Sequence, residues 1–368
     1  MGGRVCGRPT RGVSIRGVTI GAGSPVRVQG MIKCDSRDHR AAMDEILALY
    51  AAGCEIVRVA VPDRRAAAVV ARVIRESPIP VVADIHFDYR LALAVIEAGV
   101  DKLRVNPGNL GGAARLRAVA REAMARGIPI RVGVNSGSIE RDILERHGGP
   151  TAEAMVESAR RQVGELEEIG FADIVLSLKS SSVPVMIEAY TIASREFVYP
   201  LHVGVTETGA GVPGIVKSAV GIGALLAKGI GDTIRVSLTG PSTDEIRVGK
   251  DILVSLGLRK GRPEIISCPT CGRCASDIAC LVGEVGRRLE SSSPEVRVAI
   301  MGCEVNGPGE AKGADVGVAM GKGRGVIFVN GKPVKTVASD KVVDELCGAV
   351  EEWERSSHGE GRRGDSRL

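Results

Sequence analysis

Aromatic residues are nearly missing from this chain: one Trp, four Tyr and four Phe make up 2% of its 368 residues. A surface that stacks bases needs rings, and no basic tract is set among aromatics here, so nucleic acid is not expected as a partner. The net charge of +5 arises from interspersed signs, which still allows local cationic patches that bind small anions. No run of about 18 apolar residues occurs, so no membrane-spanning helix and no membrane partner are expected. The Gly- and Arg-rich start, residues 1–12, lacks the apolar core of a secretory signal. Cysteine is odd in number: there are nine, six of them in the last third of the chain. That distribution does not suit a secreted disulfide framework and fits reduced thiols, some of them ligands, in a cytoplasmic protein. Missing too are a Gly-x-Gly-x-x-Gly turn after the first strand and a Walker-type loop, which weighs against an open doubly wound sheet.

What is present is alternation. Short β-branched runs at 26–29, 55–59, 80–84, 102–105, 130–134, 173–177, 201–205 and 233–237 are separated by Ala/Leu/Arg/Glu-rich segments of helical spacing, such as 36–52, 90–98 and 153–169. Several helical segments end in glycine (Gly99, Gly127, Gly170), which suits a left-handed C-cap. Eight strand–helix units predict an α/β fold, a (β/α)8 TIM barrel over residues 1–258, with an open doubly wound sheet as the competing layout. A linker near 260–263 leads to a second, smaller α/β domain, 259–355, and a polar tail, 356–368, expected to be disordered.

Active sites of such barrels lie at the C-terminal ends of the strands. The polar residues expected there are Arg58, Asp84, His86, Arg104, Asn106, Arg131, Asn135, Lys179, His202, Glu207, Arg235 and Ser237. Asp84/His86, Arg104/Asn106 and Arg235/Ser237 are two apart, so each pair projects to one side of its strand. Five cations (four Arg and Lys179) face two obvious carboxylates, Asp84 and Glu207. Burying unpaired cations is costly, and an anionic ligand with several charges, phosphate above all, relieves the cost. The competing reading is ordinary barrel salt bridges. His202 and Glu207 are candidates for general acid–base work.

The second domain holds Cys268-Pro269-Thr270-Cys271 and, after 31 intervening residues, Cys303 followed by Asn306-Gly307-Pro308-Gly309-Glu310. Three thiolates are one short of the usual four ligands of zinc or an iron–sulfur cluster. Cys274 and Cys280 are candidate fourth ligands for a structural four-cysteine site, while Glu310 could fold back on its Gly-Pro-Gly loop. Spacing leaves both open. A carboxylate is harder than a thiolate and more labile on iron, so the second set would leave one iron exchangeable.

These motifs, with Tyr199-Pro200-Leu201-His202 leading to Glu207, Asp84-Ile85-His86-Phe87 and Arg104-Val105-Asn106-Pro107-Gly108, resemble the bacterial 4-hydroxy-3-methylbut-2-enyl diphosphate synthases of the non-mevalonate isoprenoid pathway. The similarity runs in order from about residue 10 to 350. It implies a TIM barrel joined to a [4Fe–4S] domain, with Cys268, Cys271, Cys303 and Glu310 as cluster ligands. It also implies that Arg58, Arg104, Arg131, Lys179 and Arg235, with Asn135 and Ser237, hold the diphosphate of 2-C-methyl-D-erythritol 2,4-cyclodiphosphate. Glu207 matches the family's barrel carboxylate and Asn306 its loop asparagine. The implied reaction is reductive ring opening with loss of a hydroxyl, two electrons arriving singly from flavodoxin or ferredoxin, in a head-to-tail homodimer. Departures are Gly30, where the family usually has Ser, and Thr208, where Ala is usual. The rival reading is an anion-binding barrel synthase of the pterin type with a structural metal domain; a non-catalytic electron carrier is disfavoured by the converging cations.

Overall fold

The computed structural model describes residues 7–360 except 107–109, 262, 272–273, 275, 290–291, 293–295, 304–308 and 310–312. The chain divides into two compact units, Met1–Arg259 and Lys260–Leu368.

Unit one opens with a hairpin, β1 (Val13–Ile15) and β2 (Val18–Ile20). Its two-residue turn puts Arg16 and Gly17 at φ 39° and 78°, the double left-handed geometry that matches the twist of a tight hairpin. Ile15 and Ile20 pack with Ile56 and Val82, near the starts of two barrel strands, so the hairpin plugs the N-terminal end of the barrel. Arg16 ties it down, donating to Asp101 at 2.9 and 2.7 Å and to the carbonyls of Ile74 and Ser77.

The barrel strands are β3 (Arg27–Met31), β4 (Ile56–Ala60), β5 (Val81–Ile85), β6 (Lys102–Val105), β7 (Ile130–Asn135), β8 (Ile174–Lys179), β9 (His202–Val203) and β10 (Thr233–Ile234). All pair in parallel, β10 returning to β3. A single parallel bridge, Leu176↔Leu201, joins β8 to β9 and closes the ring. The TIM barrel expected from the alternation is therefore present, with its last two strands shortened to two residues each. Helices cover the outside, and the βα loops after β3, β4 and β5 end in Asp38, Asp63 and Asp88, each accepting from a first-turn backbone N–H. Gly99, Gly127 and Gly170 adopt the left-handed conformation their C-cap positions require.

Unit two holds a five-stranded sheet ordered β11 (Glu264–Ser267), β12 (Arg297–Met301), β13 (Val316–Gly321), β14 (Arg324–Val329), β15 (Lys332–Ala338). The first three are parallel and the last two antiparallel. Along β12, Val298 and Ile300 face one core with Ile278 and Val285 of the helix Ile278–Arg288, while Ala299 and Met301 face a smaller one with Phe328. The last helix runs Val342–Glu360, so its end enters the tail expected from residue 356.

Candidate active site

The interior of a barrel of this kind is usually filled by branched apolar side chains. Here β3 to β10 instead send Gln29, Arg58, Asp84, Lys102, Arg104, Arg131, Ser177, Lys179, His202 and Thr233 inward, and all are buried.

Asp84 is the hub. Its carboxylate accepts from Arg58 Nη2 at 2.5 Å and Arg104 Nη1 at 3.1 Å, and lies 3.1 Å from His86 Nε2. Burial on its own raises this carboxyl, yet Arg58, the His86 hydrogen bond and Arg104 outweigh it and hold Asp84 well below the usual carboxylate range. The two-residue spacing thus does bring Asp84 and His86 together. Gly133 gives Arg104 its place: a Cβ there would sit 3.1 Å from Nε and 3.2 Å from Nη2.

The sequence reading set Asp84 and Glu207 against the five cations, and the second partner is a different acid. Glu245, in the first turn of the helix Ser242–Ser255, is buried and reaches Lys33 at 3.0 Å and Arg235 at 3.6 Å. It also accepts from the Leu238 N–H at 2.9 Å. Glu207 is exposed, on the loop after β9, at φ 54°, a conformation that costs a non-glycine residue and that gathers at functional sites.

Two acids do not neutralise the ring. Among the described residues Arg131 has only a neutral partner, the Gln29 oxygen at 2.7 Å. Lys179 lies where Gly204 leaves room: a Cβ at Gly204 would be 3.4 Å from its Nζ and 2.5 Å from the Arg235 carbonyl. Among the described residues neither Arg131 nor Lys179 has an ion pair. Burial and mutual repulsion disfavour the charged forms of both. A guanidinium keeps its proton regardless, so the interior carries uncompensated positive charge.

Neutral groups edge the mouth. Asn106 donates to Ser138 Oγ at 2.9 Å and keeps its oxygen unpartnered among the described residues. Asn135 ends β7 and is half-buried, as is Ser237, whose carbonyl accepts from Thr208 Oγ1. His202, proposed for acid–base work, is fully enclosed, Nδ1 lying 2.7 Å from Thr233 Oγ1. Gln29, Lys102 and Glu245 were missed. The first two were visible only as strand residues, and Glu245 comes from a helix, where strand periodicity gives no signal.

In unit two, parallel pairing of Ser267 with Ile300 sets the ends of β11 and β12 side by side. Cys268 follows the first and Cys303 the second. The Gly302 N–H donates to Cys268 Sγ at 3.2 Å, the kind of bond that stabilises a thiolate on iron. Thr270, inside the Cys-x-x-Cys turn, is left-handed at φ 58° and Cys271 is exposed. Among the described residues no three Cys, His, Asp or Glu side chains converge on a single ion; a four-iron cluster spreads its ligands more widely than one ion does. Cys274 lies close to Cys268. Its Sγ donates to the Ser276 carbonyl at 3.1 Å and, with Cys268 Sγ, crowds the space a Gly302 side chain would take. Cys280 is exposed on the helix Ile278–Arg288. Asn306 and Glu310 lie outside the described residues.

Residues 10–250 match the GcpE TIM-barrel domain and residues 264–352 the GcpE protein C-terminal domain. The chain belongs to the GcpE family. Among curated GcpE relatives, three named 4-hydroxy-3-methylbut-2-en-1-yl diphosphate synthase (flavodoxin) are similar over nearly their whole length. The Geobacter sulfurreducens protein is 50% identical over 349 residues, 95% of this chain and 99% of that one. The Symbiobacterium thermophilum protein is 51% identical over 96% of each chain. The Thermodesulfovibrio yellowstonii protein is 52% identical over 93% of this chain and 98% of its own. The barrel is also similar to Yersinia pestis dihydropteroate synthase (TM-score 0.48, 13% identity, 67% of this chain and 98% of that one), a likeness too slight to bear on the GcpE assignment. No helix among the described residues is long and apolar enough to cross a membrane.

Proposed function

We propose that this GcpE protein is an iron–sulfur oxidoreductase that opens 2-C-methyl-D-erythritol 2,4-cyclodiphosphate reductively to 4-hydroxy-3-methylbut-2-enyl diphosphate, with flavodoxin or ferredoxin as donor. The observation that carries this reading is the surplus of buried cations: Arg131 and Lys179 have no ion pair among the described residues, beside Arg58, Arg104 and Arg235 that share only two acids. A diphosphate supplies the missing charge and takes bidentate guanidinium bonds.

In the reaction the ring C–O bond to diphosphate breaks, a hydroxyl leaves as water and a C=C bond forms, consuming two electrons and two protons. The arginines and Lys179 keep the diphosphate in place after the ring opens, so the chain does not drift from its reductant. Asn135 and Ser237 add neutral contacts, and Asp84 with His86 fixes the angles of Arg58 and Arg104. Glu207, exposed and left-handed beside the β9 loop, carries a proton to the departing hydroxyl. Cys268, Cys271, Cys303 and Glu310 would hold a [4Fe–4S] cluster, with Asn306 beside it; adjacent strand ends and the Gly302 N–H bond to Cys268 suit that donor set. Such a cluster delivers electrons one at a time.

We place the enzyme in the cytoplasm as a homodimer. The helix Gly211–Leu226 exposes Val212, Ile215, Val216 and Val220 along one side, an apolar stripe that suits a subunit contact. The test is anaerobic purification, iron and sulfide analysis, and turnover with cyclodiphosphate and a reductant. Iron, sulfide and product are expected; zinc in place of iron, or an intact cluster with no turnover by any donor, would contradict the proposal.

A further inference from the structure

Below the ring of arginines lies a second set of polar groups, each with a side-chain nitrogen that has no hydrogen-bond partner among the described residues. Lys102 opens β6 two residues before Arg104, so it points to the same side one layer deeper. It has no exposure, and among the described residues its Nζ has no hydrogen-bond partner. His202 opens β9 and is equally enclosed; its Nδ1 meets Thr233, and its Nε2 has no partner among the described residues. The Gln29 amide nitrogen and Arg131 Nε are in the same condition, because the Gln29 oxygen already accepts from Arg131.

The groups that face this pair are cationic or neutral. Arg131 comes from β7, Lys179 from β8 and Arg58 from β4. Tyr190, from the helix Val183–Glu196, donates its hydroxyl to the His202 carbonyl. Of the acids, Asp84 on β5 is engaged by Arg58, Arg104 and His86, and Glu245 by Lys33 and Arg235. An ammonium or imidazolium here would be desolvated and repelled at once, whereas the neutral amine and imidazole avoid both costs. Guanidinium groups cannot give up their protons, so the lysines and His202 are the groups that yield.

We propose that Lys102 and His202 form a buried proton store beneath the anion site, deprotonated while the mouth is empty and filled from solvent when a diphosphate binds above it. The proposal deepens the diphosphate reading and rests on it. Burial and then Arg131 push the Lys102 amine well down, and burial, Arg131 and Lys179 push His202 down, in agreement with the geometry. A dianion bound by Arg58, Arg104 and Arg131 offsets their repulsion at both groups. The store also has a use in the reaction. Each phosphate of the cyclic ligand has one ester and one anhydride link and carries one charge, and ring opening leaves a terminal phosphate with a second ionisable oxygen. Protons drawn into the barrel floor offset that added charge without moving any side chain.

The test is calorimetric titration of the unreduced holoenzyme with 2-C-methyl-D-erythritol 2,4-cyclodiphosphate at pH 8, in two buffers of different protonation enthalpy. The ligand does not turn over without electrons and carries no titrating group near neutrality, so protons taken up belong to the protein. Net uptake of about one proton or more per ligand is expected, with affinity rising as pH falls from about 9 to about 7. Lys102→Met, which keeps the length and loses the charge, is expected to take up fewer protons. Binding without uptake in the wild type, or the same count in Lys102→Met, overturns the proton store and leaves the diphosphate reading standing. Absence of binding overturns both. The wild-type count needs no variant, so an absence of uptake overturns the store even if Lys102→Met folds poorly, whereas uptake undiminished in Lys102→Met is assigned to Lys179 above it.

Discussion

Arg131 donates to one neutral partner, the Gln29 amide oxygen at 2.7 Å, and is nearly sealed from solvent. A buried cation without its counterion weakens the fold, and the same cation with a phosphate oxygen binds strongly. Arg131→Met therefore has two expected effects of opposite sign. Cyclodiphosphate binding weakens about ten- to a hundredfold, since a hydrogen bond to a charged group contributes about 1.5–3 kcal/mol, while the ligand-free protein unfolds at a higher denaturant concentration. A variant that loses stability and keeps its affinity would show Arg131 to be structural. Much at this scale was readable from the chain: Arg58, Asp84, Arg104, Arg131 and Lys179 stand at strand positions of fixed parity, so their inward direction follows from the pleat. What the pleat does not encode is which acid arrives from outside the strands, and Glu245 comes from the helix after β10.

At the scale of elements, the barrel was legible because short strand-like runs alternate with segments of helical spacing, three of them opened by an aspartate cap. Two pieces were not. The β1–β2 hairpin is short, three residues a side, and its polar turn gave no strand signal. Strand β13, the middle of the second sheet, reads Val-Gly-Val-Ala-Met-Gly; its glycines hide the pattern. Gly325 across the ladder shows why small residues are needed, since a Cβ there would lie 2.9 Å from both Val318 and Val342. The hairpin's part is structural. Arg16→Ala removes its bonds to Asp101, Ile74 and Ser77 and is expected to cost about 1–2 kcal/mol in urea unfolding, with KM for the cyclodiphosphate unchanged. A change in KM without loss of stability would contradict the plug.

For the molecule as a whole, the barrel supplies charge and position, and the second unit supplies thiols at adjacent strand ends. The thiols differ in setting. Cys268 accepts a backbone N–H, whereas Cys274 donates to a carbonyl and Cys280 stands exposed on a helix. Cys271→Ser is expected to lose most bound iron and the visible absorption, and Cys280→Ser to keep both; the reverse result would put the fourth ligand on the helix. Spacing alone left a fourth cysteine open, and Glu310 as the fourth ligand is what the family resemblance implies. The most direct measurement is phosphorus NMR of the anaerobic reaction with cyclodiphosphate and a reduced flavodoxin or ferredoxin. The account predicts that the cyclic diphosphate signals give way to those of a linear diphosphate monoester, still attached to carbon, with two electrons consumed per molecule. Release of inorganic pyrophosphate, or an unchanged spectrum from protein that holds its cluster, would contradict it.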